Sequence, residues 1–174
     1  MNIRTQLLAA HSRANADVVQ RHVEEHPDSL PELIACLGSD EVKVAQRASM
    51  VVGNFGRSNP DALQPWWEDL VQAVDNPIHN AITRAVIRYF SELEMELPKK
   101  LESRLIDRCL QAVLDPEQKT AISAFAMKFI TDRAAQYPEQ AKRLNAALIR
   151  LIPSGSPGFQ NRGRKMLEQL KDHL

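Results

Sequence analysis

Apolar residues in this chain recur three and four positions apart, and alternation with a period of two is nowhere sustained. That spacing lines up side chains on one stripe of an α-helix and not on one face of a strand. The pattern therefore predicts helix throughout. Prolines and small polar clusters interrupt it at Pro27-Asp28-Ser29, Gly38-Ser39-Asp40, Ser58-Asn59-Pro60, Asp75-Asn76-Pro77, Leu97-Pro98, Asp115-Pro116, Tyr137-Pro138 and from Pro153 to Pro157. These residue types end helices and form turns. The stretches between them have ordinary helix length, roughly ten to twenty residues.

The predicted helices repeat in pairs. Leu33-Ile34-Ala35-Cys36-Leu37, Leu70-Val71-Gln72-Ala73-Val74, Cys109-Leu110-Gln111-Ala112-Val113 and Ala147-Leu148-Ile149-Arg150-Leu151 each precede a turn containing Asp, Pro, Gly or Ser, and each turn opens a second helix. In the second helices a small residue recurs at Ala48, Ala85, Ala124 and Gly163, spaced by 37, 39 and 39 positions and preceded by Arg47, Arg84, Ser123 and Arg162. A small side chain midway along a helix lets its neighbour approach closely, and Ala45, Ala48 and Val52 form one such stripe. A helix, a tight turn and a helix at this period, over about residues 30 to 174, resemble the HEAT repeat family.

The resemblance implies an all-α fold: a right-handed α-α superhelix (HEAT-like solenoid) of about four helix pairs, here 29–59, 60–97, 98–137 and 138–174, in a single domain spanning 1–174. Many HEAT repeats carry an Arg three positions before the small residue, where this chain has Ala45, Ile82, Ala121 and Gln160. The family's Asp–Arg ladder is therefore not matched. Residues 1–28 differ from the repeats and carry the string His11-Ser12-Arg13-Ala14-Asn15 followed by Asp17-Val18-Val19. They are expected to form an N-terminal helical cap, with one or two helices between residues 3 and 26 covering the apolar face of the first repeat. As a whole the chain also looks like a group of short bacterial helical proteins, some of them labelled adenylosuccinate lyase. That lyase family is much longer and carries its acid and base on separate segments with a glycine-rich signature loop, and no such segments are found here.

The composition, 44% hydrophobic and 25% charged over 174 residues, suits one core under a polar surface. No apolar run reaches the length of a signal-peptide core or a membrane span. The two cysteines, Cys36 and Cys109, sit among apolar helical residues, which argues against a disulfide framework and for a reducing compartment, expected to be cytoplasmic. A net charge of zero conceals a polarity: residues 1–96 hold eight Lys/Arg against fourteen Asp/Glu, and residues 97–174 hold fourteen against eight. In a repeat array this gives an acidic end and a basic end, and allows monomers or weak head-to-tail self-association.

No catalytic constellation emerges, and no cofactor is implied. His22-Val23-Glu24-Glu25-His26 matches the H-x-x-E-H string of some zinc proteases, but it lies in a polar capping helix against Pro27 without a downstream acidic ligand. No metal site is assigned. Ser154-Gly155-Ser156-Pro157-Gly158 lacks the lysine of a phosphate loop and reads as the longest flexible connection. Trp66 and Trp67, adjacent at a helix start, point in different directions, so one is expected in the core and one at a surface where a partner binds. Basic residues of the second helices, Lys43, Arg47, Arg84, Arg88, Lys128, Arg162, Arg164 and Lys165, could line the inner wall of the array. The favoured reading is a non-enzymatic protein-interaction scaffold. Alternatives are nucleic-acid or polyanion binding by the basic C-terminal repeats, similar to HEAT-like alkylation-repair proteins, and a lyase-type enzyme.

Overall fold

In the computed structural model, which describes residues 1–173, the chain forms ten α-helices and short 3-10 turns, with no strand among the described residues. The helices are α1 (Ile3–Ala9), α2 (Arg13–Glu25), α3 (Leu30–Leu37), α4 (Val42–Ser58), α5 (Trp67–Asp75), α6 (Asn80–Glu92), α7 (Lys99–Leu114), α8 (Thr120–Thr131), α9 (Pro138–Leu151) and α10 (Pro157–Leu170). Their starts follow from side-chain chemistry. Asn2, Ser12, His79 and Ser156 each accept a hydrogen bond from a backbone N–H in the first turn of the helix they precede, and Pro138 and Pro157 occupy first helical positions where no N–H is needed.

The chain divides into two compact units, Met1–Leu93 and Glu94–Leu174. In the first, α3 packs on α4 and α5 on α6, while α4 lies directly against α6. A methyl group placed on Gly53 of α4 would sit 3.2 Å from Ala85 Cβ of α6, so these two helices approach about as closely as helices can. Helices α1 and α2 pack on α4, and α1 also touches α3, covering residues that would otherwise face water. In the second unit α7 packs on α8 and α9, and α10 packs on α8 and α9.

The quintets read from the sequence supply the buried faces of the first helices: Leu33, Ile34 and Leu37 in α3, Leu70, Val71 and Val74 in α5, Cys109, Leu110 and Val113 in α7, and Ala147 and Leu148 in α9. Burying each large aliphatic side chain contributes about 1.5–3 kcal/mol. The second helices show a different register from the one expected. Their buried positions pair as 44/45, 48/49 and 51/52 in α4, as 82/83, 86/87 and 89/90 in α6, and as 122/123, 126/127 and 129/130 in α8. Ala48 is therefore matched by Val86 and Ala126, whereas Ala85 and Ala124 are only half-buried. Gly163, buried with Met166 and Leu170, falls in line with Ser123. The small residues serve separate contacts: Ala85 meets α4, and a methyl on Gly163 would strike Ile152 at 2.9 Å. The expected flexible loop is also mostly regular. Ile152–Ser154 is a 3-10 turn, Gln160 Nε2 donates to the Gly155 carbonyl, and the Ser156 hydroxyl lies 3.0 Å from that of Thr120.

Candidate functional site

The face that most concentrates one kind of chemistry is formed by α4 and α6. Helix α4 carries three cations, Lys43, Arg47 and Arg57, and no carboxylate; α6 carries Arg84 and Arg88 with Glu92 in its last turn. Everything else in residues 1–93 holds three Lys/Arg against eleven Asp/Glu. The charge asymmetry foreseen along the chain is therefore accompanied by a sharper one across the first unit, between its second helices and the remainder. Because α3 and α5 cover one side of α4 and α6, the exposed side chains of these two helices point the other way.

The cations on this face differ in what they do. Arg47 is half-buried and its Nη1 donates to the Leu7 carbonyl at 2.8 Å, satisfying a C-terminal carbonyl of α1. Arg57 is held by its own helix, donating to the Gly53 carbonyl and to Asn54 Oδ1. Arg88 pairs with Glu92 at 2.8 Å. Lys43 and Arg84 are exposed. The same two helices also carry Val42, 45% exposed, and the half-buried Met50, Ala81 and Ala85. The surface is thus basic with a modest apolar floor. In the second unit Lys128 pairs with Asp132 one turn on, Arg164 donates to Gln160, Arg162 is half-buried and Lys165 exposed.

The two tryptophans separate as their adjacency requires, and the structure decides which is which. Trp67 is in the core at 5% exposure, its Nε1 donating to Tyr89 Oη at 2.9 Å, and the Tyr89 hydroxyl donates in turn to the Pro60 carbonyl at 2.8 Å. Trp67 is therefore corrected from a partner-binding residue to a core one. Burial raises the Tyr89 phenol above its ordinary pKa, against the lowering effect of the Trp67 hydrogen bond. Trp66 is half-buried and lines a groove of about 480 Å³ between α3 and α5, with Ile34 and Ile82 beneath it and Asp40, Asp69 and Ile78 around the opening.

His22 and His26 bring their rings to 4.6 Å at the end of α2. Partial desolvation, then the N-terminal ammonium and His26, hold His22 below its ordinary pKa. Among the described residues no group of three His, Cys, Asp or Glu side chains is arranged to hold a metal ion. His79 is a helix cap, accepting from the Ala81 N–H at Nδ1.

Two polar centres escaped the sequence reading. Asn15 is buried, donates to the carbonyls of Gln6 and Ala10, and accepts from Gln6 Nε2 at 2.7 Å. Its place in the Ser12–Asn15 string, with Ser12 capping its N–H, was the available signal. In the second unit Arg133 donates to Glu102 at 2.6 Å and stacks 3.9 Å over Phe129, while Tyr137 Oη donates to the other Glu102 oxygen at 3.0 Å. Burial and then Glu102 itself raise the Tyr137 phenol. These residues join distant parts of the chain, which no local spacing reveals.

No described helix is long and apolar enough to cross a membrane. No curated protein and no solved structure matches the chain significantly. The family comparison returns a model described as a HEAT repeat domain, aligned to residues 3–170, and it lends no support to a lyase name. With helices paired as that family pairs them, and nearly the whole chain matched, this protein belongs to the HEAT repeat family.

Proposed function

We propose that the protein is a non-catalytic scaffold that holds an acidic segment of a protein partner along the α4/α6 face. The observation that carries this reading is the charge on those two helices, five cations against the lone carboxylate of Glu92, in a unit whose remaining residues are strongly acidic. An acidic amphipathic segment would set its carboxylates against Lys43 and Arg84 and its apolar side chains against Val42 and Met50. A nucleic acid fits this face less well. Phe55, Tyr89 and Phe90 are buried, leaving no aromatic side chain of α4 or α6 on which a base could stack. The two buried thiols accord with a reducing, cytoplasmic setting.

Fluorescence anisotropy with a labelled acidic amphipathic peptide and a labelled single-stranded oligonucleotide tests the reading. The peptide is expected to bind at micromolar concentrations and the K43E/R84E variant to bind it at least tenfold more weakly. Tighter binding of the oligonucleotide, or unchanged peptide binding by the variant, would overturn it. The cluster Arg162, Arg164 and Lys165 on α10 supports a second reading, polyanion binding in the C-terminal unit. Its test is heparin retention at low salt that disappears when those three residues are neutralised.

A further inference from the structure

The groove between α3 and α5 plays no part in the proposed α4/α6 site. Its floor is apolar, from Ile34 and Ile82; one wall is the half-buried Trp66; Ile78 stands 43% exposed at its edge; and Asp40 and Asp69, both exposed, flank the opening. A surface that combines an indole, isoleucines and two carboxylates selects a helix presenting an aliphatic anchor between cations.

The chain itself contains such a helix. On α9 the buried residues are Ala141, Leu144, Ala147 and Leu148, so the opposite face presents Arg143, Ala146, Ile149 and Arg150, spaced as neighbours along one stripe. Ile149 is 61% exposed, the highest value for any large hydrophobic side chain among the described residues, and both arginines are exposed. We infer that the outer face of α9 in one copy docks into the α3/α5 groove of a second copy, Ile149 against Trp66 and Ile78, with Arg143 and Arg150 facing Asp69 and Asp40. The two surfaces are different patches, so the contact is heterologous and each copy offers both halves of it. The interface is small, which makes the association weak and concentration-dependent.

Sedimentation of the 174-residue chain tests this. In low salt the average mass of the wild type should climb as protein concentration rises from roughly ten to several hundred micromolar, and fall back to that of the monomer near ~0.5 M salt. Two variants each destroy one half of the contact: I149D/R150E spoils the α9 face and D40K/D69K spoils the groove. All four side chains are exposed, and unchanged circular-dichroism melts verify folding. Each variant alone should remain monomeric, and an equimolar mixture should form a 1:1 dimer and nothing larger, because each retains the half its partner lacks. A wild type that stays monomeric throughout, a single variant that still associates, or a mixture that stays as two monomers would overturn the inference. K43E/R84E leaves both surfaces intact and should associate like the wild type, which separates this contact from the α4/α6 reading.

Discussion

A few side chains here carry obligations that their chemistry makes hard to transfer. Asn15 answers two carbonyls at the end of α1 while its own oxygen is taken by Gln6. Asn15→Ala leaves those groups short of partners, and chemical denaturation should show a loss of about 1–3 kcal/mol. Gly56 shows the same principle in packing. A methyl added there would lie 2.7 Å from Leu63 Cδ1 and 2.8 Å from the Tyr89 ring, and that ring is fixed by hydrogen bonds to Trp67 and Pro60. Gly56→Ala should therefore cost about 1–3 kcal/mol. A methyl added to Gly38 would meet only the Ala35 carbonyl oxygen, at an ordinary 3.8 Å, and φ there is negative, so Gly38→Ala should be neutral or stabilise by up to ~1 kcal/mol. Thermal melts of the two variants side by side check both expectations.

Among the helices, α1 shows why some features were legible in the sequence and others were not. Its seven residues are too few to hold a helix in water. Its N-terminal end is tied by Glu32, whose carboxylate accepts from the N–H groups of Ile3 and Arg4, and its C-terminal end by Asn15 and Arg47. The periodicity of Ile3 and Leu7 announces a helix, but nothing local says that Arg47, forty residues away, completes it. Spacing alone groups Arg47 with the outward-facing cations of the second helices, whereas its guanidinium closes α1. The same holds for Glu102, Arg133 and Tyr137, which link α7 to the turn after α8. Helix pairing, the first-helix quintets and the basic character of the second helices could be read from spacing alone, because each depends on neighbours within a few turns. The register of the small residues could not, since it depends on which helix each one meets. Glu102→Gln provides a check on the network: it removes the nearby negative charge, so the Tyr137 phenol should ionise at lower pH, though still above its ordinary value because burial is the larger cause. Ultraviolet titration on a Tyr89→Phe background isolates that phenol.

For the molecule as a whole, neutrality is a sum of opposed surfaces: the unit Met1–Leu93 carries eight Lys/Arg and twelve Asp/Glu, and Glu94–Leu174 carries fourteen and ten. Salt should thus weaken contacts with partners or copies much more than it changes the fold. Alkaline pH should act on the fold. Cys36 and Cys109 lie above their ordinary value of 9.0, and Tyr89 and Tyr137 above theirs of 10.0, all through burial first. Unfolded chains release these protons earlier than folded ones, so these four groups should leave stability unchanged near pH ~8 and lower it progressively as pH passes 9 and then 10. Denaturant midpoints measured across that range check the sign. The position of the thiols has a further consequence, because Cys36 belongs to one compact unit and Cys109 to the other. Each unit contains a single native thiol that alkylating reagents can reach only when that unit opens. Mass spectrometry of the alkylated peptides over time would time the breathing of each half separately, with no engineered label.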